Sequence, residues 1–173
     1  MPDLAVRDLA VPDLVFRAAS ADDADALWAI LEPVVRDGTT YPVDPAARRE
    51  AVFAYWFAPD KAVYVALDGE RVVGSYYLKP NSTGPAAHVA NAGYMVLPAA
   101  RRQGVARAMA LDSFARARAA GFRAMQFNLV VASNLGAIAL WRSVGMAEVG
   151  RLAQAFRLPS GDYVDALVMY RML

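Results

Sequence analysis

The chain has 173 residues, with 18 basic against 17 acidic side chains, no cysteine and one histidine. That length suits a single domain with a substantial core, and the near-balanced charge gives no electrostatic case for a nucleic-acid partner. Without cysteine there are no disulfides, thiol nucleophiles, thiolate zinc sites or iron–sulfur clusters, and the lone His88 excludes a multi-histidine metal site, so no metal is expected.

Residues 1–13 read as an N-terminal arm leading into one domain over 14–173. Asp3, Arg7, Asp8 and Asp13 interrupt any apolar run there, and the longest uncharged stretches carry prolines, glycines and amides. The expectation is a cytoplasmic protein with no membrane partner. Leu14–Arg17 is a short strand candidate. Ser20 precedes Ala21-Asp22-Asp23 as an N-cap with acids in the first turn, and Ala24, Leu27, Ile30, Leu31 and Val34 follow at helical spacing up to Asp37-Gly38. A loop through Thr39-Thr40-Tyr41-Pro42-Val43 leads to Pro45, a good first helical residue, and a second helix to about Phe57.

The period then changes from helical to alternating. Ala62–Leu67 and Arg71–Leu78 form a hairpin around Asp68-Gly69, and His88–Leu97 reads as a third long strand. Pro98–Gln103 is a basic turn, Gly104 opens a helix to about Ala120, and Ala124–Val131 is a strand. Asn134–Val144 is a short helix closed by Gly145, and Ala147–Arg157 with Tyr163–Arg171 makes a last hairpin. The order β-α-α-β-β-β-α-β-α-β-β predicts a mixed α/β sheet flanked by helices, distinct from a doubly wound nucleotide fold.

Two segments carry chemistry. In Val96-Leu97-Pro98-Ala99-Ala100-Arg101-Arg102-Gln103-Gly104-Val105-Ala106 a strand runs into a turn and then a helix N-terminus, where unpaired N–H groups and the helix dipole favour an anion such as a pyrophosphate. The small residues at 104 and 106 allow close approach. The alternative is a surface turn whose arginines only cap and solvate. In Asn134-Leu135-Gly136-Ala137-Ile138-Ala139-Leu140-Trp141-Arg142-Ser143-Val144-Gly145-Met146 an asparagine starts a helix, and an aromatic residue follows two turns along nearly the same face.

Together these segments resemble the GNAT family of N-acetyltransferases. Arg101, Gly104 and Ala106 match its Arg/Gln-x-x-Gly-x-Gly/Ala motif, and Asn134, Ala137 and Gly145 match its second motif, with Trp141 at the usual tyrosine and Met146 at the usual phenylalanine. The resemblance covers about Leu14 to Leu173 and implies a mostly antiparallel sheet and acetyl-CoA as cosubstrate. It implies that main-chain groups of Tyr94, Met95 and Val96 hold the pantetheine arm and acetyl carbonyl. It further implies that amides of Arg102, Gln103, Gly104, Val105 and Ala106, beside Arg101, cradle the pyrophosphate, with Asn134 and Trp141 on the pantetheine side. Indole N–H is no useful acid, so Trp141 cannot protonate a leaving thiolate as a tyrosine could. Packing in the core is its other reading.

A narrower resemblance lies in His88-Val89-Ala90-Asn91-Ala92-Gly93-Tyr94 and Phe127-Asn128-Leu129-Val130, which look like fungal family members acting on azetidine-2-carboxylate and proline-like imino acids. It implies that Asn91 orients the attacking nitrogen and that Asn128 with Leu129 holds a carboxylate. Satisfied strand amides at a sheet bulge are the alternative. Tyr41 is a candidate wall of the acceptor site, Asp44 and Glu50 are acids able to attract a cation, and His88 lies on the opposite strand parity from Asn91. The expected function is acetyl transfer to a small-molecule amine or imino acid by direct attack. The alternatives are a protein or peptide N-acetyltransferase and a catalytically weak acyl-CoA sensor. A homodimer through the last strands is permitted by the apolar Ala166–Tyr170 segment.

Overall fold

The computed structural model describes residues 13–173, so the expected arm lies outside the described residues except for Asp13. Seven strands and four helices follow in the expected order. They are β1 (Val15–Ala18), α1 (Ala24–Asp37), α2 (Arg49–Trp56), β2 (Ala62–Asp68), β3 (Arg71–Pro80), β4 (Val89–Val96), α3 (Val105–Ala119), β5 (Ala124–Val131), α4 (Leu135–Ser143), β6 (Ala147–Arg157) and β7 (Tyr163–Met172). They build one seven-stranded sheet in the order β1-β2-β3-β4-β5-β7-β6. Every neighbouring pair is antiparallel except β4–β5.

That exception positions the site. β4 and β5 pair only at Val89↔Ala124 and Ala90↔Met125, then part company. Each keeps its outer partner, β4 against β3 and β5 against β7. The sheet therefore splits into a wedge, and the inner edge of β4 is left without a strand to pair with. Leu97 N–H bonds Val73 O and Asn81 N–H bonds Val89 O, so odd-numbered β4 residues use their main chain toward β3. By alternation, the main-chain groups of Ala92, Tyr94 and Val96 face the wedge.

Helices α1 and α2 cover one face of the sheet, where Leu27, Ile30, Leu31, Val35, Val52 and Trp56 pack on Val63, Val65, Tyr77 and Met95. On the other face α3 lies so close to β3 that a Cβ on Gly74 would fall 2.8 Å from Met109 Sδ. Helix α4 packs Ile138 and Trp141 against Phe127, Val130 and Met146.

Two expectations are corrected. Helix α2 starts at Arg49, not Pro45, because the chain first makes a turn. Asp44 accepts main-chain bonds from Ala46 at 2.8 Å and Ala47 at 2.9 Å, and Arg36 clamps the carbonyls of Pro45 and Ala47. The Ala166–Tyr170 segment is no free edge: β7 lies between β5 and β6, and Ala166, Leu167 and Met169 are buried. Of the last two strands, β6 is the one at a sheet edge.

Candidate active site

The wedge opens into a cleft of about 1280 Å³. It is bounded by the inner edge of β4, the start of α3, the splayed half of β5 and helix α4. One end meets the turn before α3. Gly104 takes φ +81° and Arg102 φ +63°, and the first main-chain bond of α3 runs from Ala108 N–H to Gly104 O at 3.0 Å. The amides of Val105, Ala106 and Arg107 are left without a helical acceptor, at the positive end of a 15-residue helix. Arg101, Arg102, Gly104, Val105 and Ala106 all line the cleft, whereas Gln103 turns its side-chain nitrogen back to Ala99 O at 3.1 Å. Gly136, Ala137 and Ala139 keep the facing surface of α4 low. An unpaired amide row, flanking arginines and small residues fit a pyrophosphate and a slender pantetheine arm.

Asn134 lines the same cleft and caps α4, its Oδ1 accepting from Ala137 N–H at 3.1 Å. Trp141 is buried, with ring centroids 5.0 Å from Tyr94 and 4.9 Å from Phe127, so it serves the core while bordering the cleft. Val96 lines the cleft, but Met95 does not. Its side chain is 2% exposed in the α1–α2 core, and its odd position commits its main chain to β3.

At the other end, the Tyr41 hydroxyl stands in the wedge. It accepts from Tyr94 N–H at 2.6 Å and donates to Tyr94 O at 2.8 Å, occupying both main-chain groups of the central wedge residue. Burial raises the pKa of Tyr41 far above that of a free phenol, as it does for Tyr77 and Tyr94, so all three are neutral hydroxyls. Asn91 is buried where the strands part. Its Nδ2 donates to Gln126 O at 2.9 Å, a carbonyl just beyond the last β4–β5 pair. That bond settles the orientation of the amide and directs its acceptor, Oδ1, elsewhere.

On β5, register slips between Phe127 and Val130, so Asn128 and Leu129 sit in a bulge without a β7 partner. Asn128 is exposed, accepts from Gln126 Nε2 at 2.9 Å and donates to Asn81 Oδ1 at 2.7 Å. One of its N–H groups stays uncommitted in that network.

The structure also brings in residues that sequence reasoning missed. Tyr55, Lys61, Tyr77 and Lys79 line this end, and Gly93 is what admits Tyr77. A Cβ on Gly93 would lie 2.5 Å from the Tyr77 ring. The glycine was visible in the Asn-Ala-Gly run, but the ring laid over it from β3 was not. Lys61 holds its ammonium 3.7 Å from the Tyr55 ring centroid and 4.2 Å from that of Tyr77, and donates to Tyr55 O. Burial, with Lys79 alongside, lowers its pKa.

Asp44, Glu50 and His88 do not border the cleft. His88 is exposed, its Nδ1 3.0 Å from Pro85 O. No aspartate, glutamate or histidine among the described residues lines it. Among those residues there is also no acid or histidine cluster able to hold a metal, and no helix long and apolar enough to cross a membrane.

The wedge, the amide row and the two motifs can be compared with known proteins. Residues 26–146 match the family model described as the acetyltransferase (GNAT) family. The chain is 32% identical over 149 residues to N-acetyltransferase aca1 of Schizosaccharomyces pombe, covering 76% of this chain and 71% of that one. It resembles the solved GCN5-related N-acetyltransferase of Kribbella flavida at 40% identity and TM-score 0.85, over 92% of this chain and 98% of that one. The fold is shared with a phosphinothricin acetyltransferase from Sinorhizobium meliloti in complex with acetyl-CoA, at 23% identity and TM-score 0.80, over 92% of this chain and 88% of that one. The chain with the split between β4 and β5 therefore belongs to the GNAT family and is an acetyl-CoA-dependent acetyltransferase.

Proposed function

We propose that the acceptor is a small amine of the proline-like imino-acid type, acetylated by direct attack in a ternary complex. The observation that carries this reading is Asn91, whose Nδ2 is fixed on Gln126 O while its Oδ1 is left to accept a bond where the strands part. An Oδ1 there accepts the N–H of the attacking nitrogen and turns its lone pair toward the wedge, which is catalysis by orientation. Asn128, with its uncommitted N–H, and the main chain of Leu129 in the β5 bulge are suited to hold the carboxylate of the same molecule.

Acetyl-CoA supplies the activated acetyl group, with its pyrophosphate against the amides from Arg102 to Ala106 and Arg101 adding charge. On the wedge edge the main-chain N–H of Val96 is the donor open to a carbonyl oxygen, and Tyr94 N–H joins it when the Tyr41 hydroxyl that holds it gives way. The new N–C bond forms as the C–S bond breaks. Since no carboxylate or imidazole among the described residues lines the cleft, water entering the open cleft takes the proton of the amine, and the thiolate leaves without an acid from Trp141.

The test is coenzyme A release across azetidine-2-carboxylate, proline, cis-4-hydroxyproline, polyamines, aminoglycosides and short peptides. Selective turnover of the cyclic imino acids is expected. On the best of them, Asn91→Ala is expected to lower kcat about 10–100-fold with little change in the KM of acetyl-CoA. Turnover confined to peptides or polyamines overturns the reading, as does undiminished acetylation by Asn91→Ala.

A further inference from the structure

The chain contains 16 arginines and only two lysines, Lys61 and Lys79, and both lysines line the acceptor end of the cleft. They are placed there by register. Ala62 pairs with Leu78 and Lys79 with Asn91, so Lys61, one residue before Ala62, stands opposite Lys79. Paired positions share a sheet face, so Lys79 and Asn91 face the same way, and Lys61, just before β2, continues their row by extension of the register. With strands about 4.8 Å apart, the Lys61 and Asn91 backbones are about 10 Å apart, a gap that the lysine stem and a small acceptor can fill together.

The two ammonium groups differ in their surroundings. Lys79 is neutralised by Asp60 at 2.7 Å. Lys61 makes no ion pair among the described residues, and Asp60, the acid that acts on it, is engaged by Lys79. It is cradled by the Tyr55 and Tyr77 rings and donates to one carbonyl, which leaves two N–H groups uncommitted. No acid among the described residues lines the cleft to offset it. A half-buried cation with no ion pair of its own attracts an anion and repels a second cation, and at such a site it discriminates between ligands more than it adds affinity.

We propose that Lys61 selects the acceptor by charge, favouring an amine that carries a carboxylate and disfavouring acceptors with extra positive charge. The assignment rests on the acceptor reading above and deepens it: Asn128 and Leu129 provide neutral hydrogen bonds, and Lys61 provides the fixed charge. Polyamines and lysine-rich peptides are poor acceptors because they bring a cation to a cation.

The experiment compares the wild-type enzyme with Lys61→Met, whose stem still covers the Tyr55 and Tyr77 rings, and with Lys61→Gln as a second variant should the first fold poorly. Steady-state kinetics are measured on proline and on prolinamide, which differ only in the carboxylate, and on the best acceptor of the panel with its own amide. Loss of Lys61 is expected to raise KM for the acid about tenfold or more. It is expected to have little effect on the amide or on the KM of acetyl-CoA, so that the preference for acid over amide collapses. Calorimetric titration of N-acetylproline is expected to weaken in parallel, a readout independent of turnover.

Equal losses on acid and amide overturn the proposal, as does a fall in kcat without a change in KM, which would make Lys61 a structural or proton-accepting group. If linear acidic amines are turned over in preference to cyclic ones and Lys61→Met abolishes that preference for acids, the imino-acid reading fails and the charge selection stands. A best acceptor that is cationic and carries no acid refutes both.

Discussion

Replacing Gly93 by alanine tests whether the acceptor end of the cleft is built by laying Tyr77 across β4. The added Cβ would meet Tyr77 Cε1 at 2.5 Å, Cζ at 2.7 Å and Oη at 2.8 Å. Comfortable carbon contacts begin at about 3.5 Å, so the ring must retreat by about 1 Å. It has little room, with Trp56 edge-on at 5.0 Å between centroids and the Lys61 ammonium 4.2 Å from the ring centre. Overpacking of this kind costs about 1–3 kcal/mol. The restricted unfolded chain returns about 0.4–1 kcal/mol, since Gly93 is in a regular strand that alanine tolerates. The net loss is about 1–2 kcal/mol, or about 2–8 °C in Tm for a domain of this size. The assay is urea and thermal unfolding of Gly93→Ala, Tyr77→Leu and the double variant, with the acceptor KM measured alongside. In the double variant the cost of Gly93→Ala is expected to disappear, because the clashing ring is gone. Loss of equal size with and without the ring, or no loss at all, refutes the reasoning.

Two other outcomes follow from named contacts. Tyr41→Phe strips Tyr94 N–H and C=O of the partner they hold at 2.6 and 2.8 Å, and is expected to lower the stability of the free protein by about 1–2 kcal/mol. Saturating acetyl-CoA is expected to narrow that gap if it takes up the Tyr94 amide, so the same Tm difference with and without it would show that the amide is not used. Asp23 is held at about 2, below its usual 3.8, by the Arg17 guanidinium, whose nitrogens lie 2.7 Å from both carboxylate oxygens, against burial and with help from Ser20 N–H. A depressed carboxyl pKa stabilises the fold above about pH 4, and that stabilisation disappears as pH falls toward 2. Allowing for the solvent around Arg17, it amounts to about 1–2 kcal/mol. Urea midpoints for Asp23→Asn are expected to lose this acid-limb slope, and an unaltered slope between pH 4 and 2 would show that the pair contributes nothing.

Local signals located most elements to within a residue or two. Ala124–Val131 and Ala147–Arg157 have the bounds expected for those strands, and Gly38, Gly69 and Gly145 take the positive φ at which the chain was expected to turn. Helix α2 was placed too early because Pro45 is as good in a turn as at a helix start, and only the Arg36 clamp from α1 decides between them. The anion turn was legible because its chemistry is local: a strand end, a glycine with φ +81° and a helix N-terminus are consecutive in the chain. The acceptor end was not legible in the same way. Tyr55, Lys61 and Tyr77 belong to α2, the residue before β2, and β3, and no spacing rule connects them to Asn91.

From its own residues the chain determines a cysteine-free α/β domain with an amide-lined anion turn, because composition, period and capping are short-range properties. Where the sheet splits was decided only in three dimensions. The single parallel contact between β4 and β5 ends after Ala90 because β5 is held by β7 and β4 by β3, and those pairings join segments far apart in sequence. The same long-range packing turns Met95 into the core, seats the Tyr41 hydroxyl on Tyr94 and leaves Lys61 as a cation with no ion pair among the described residues. Side-chain identity fixes what each group can do, and tertiary pairing fixes which groups meet.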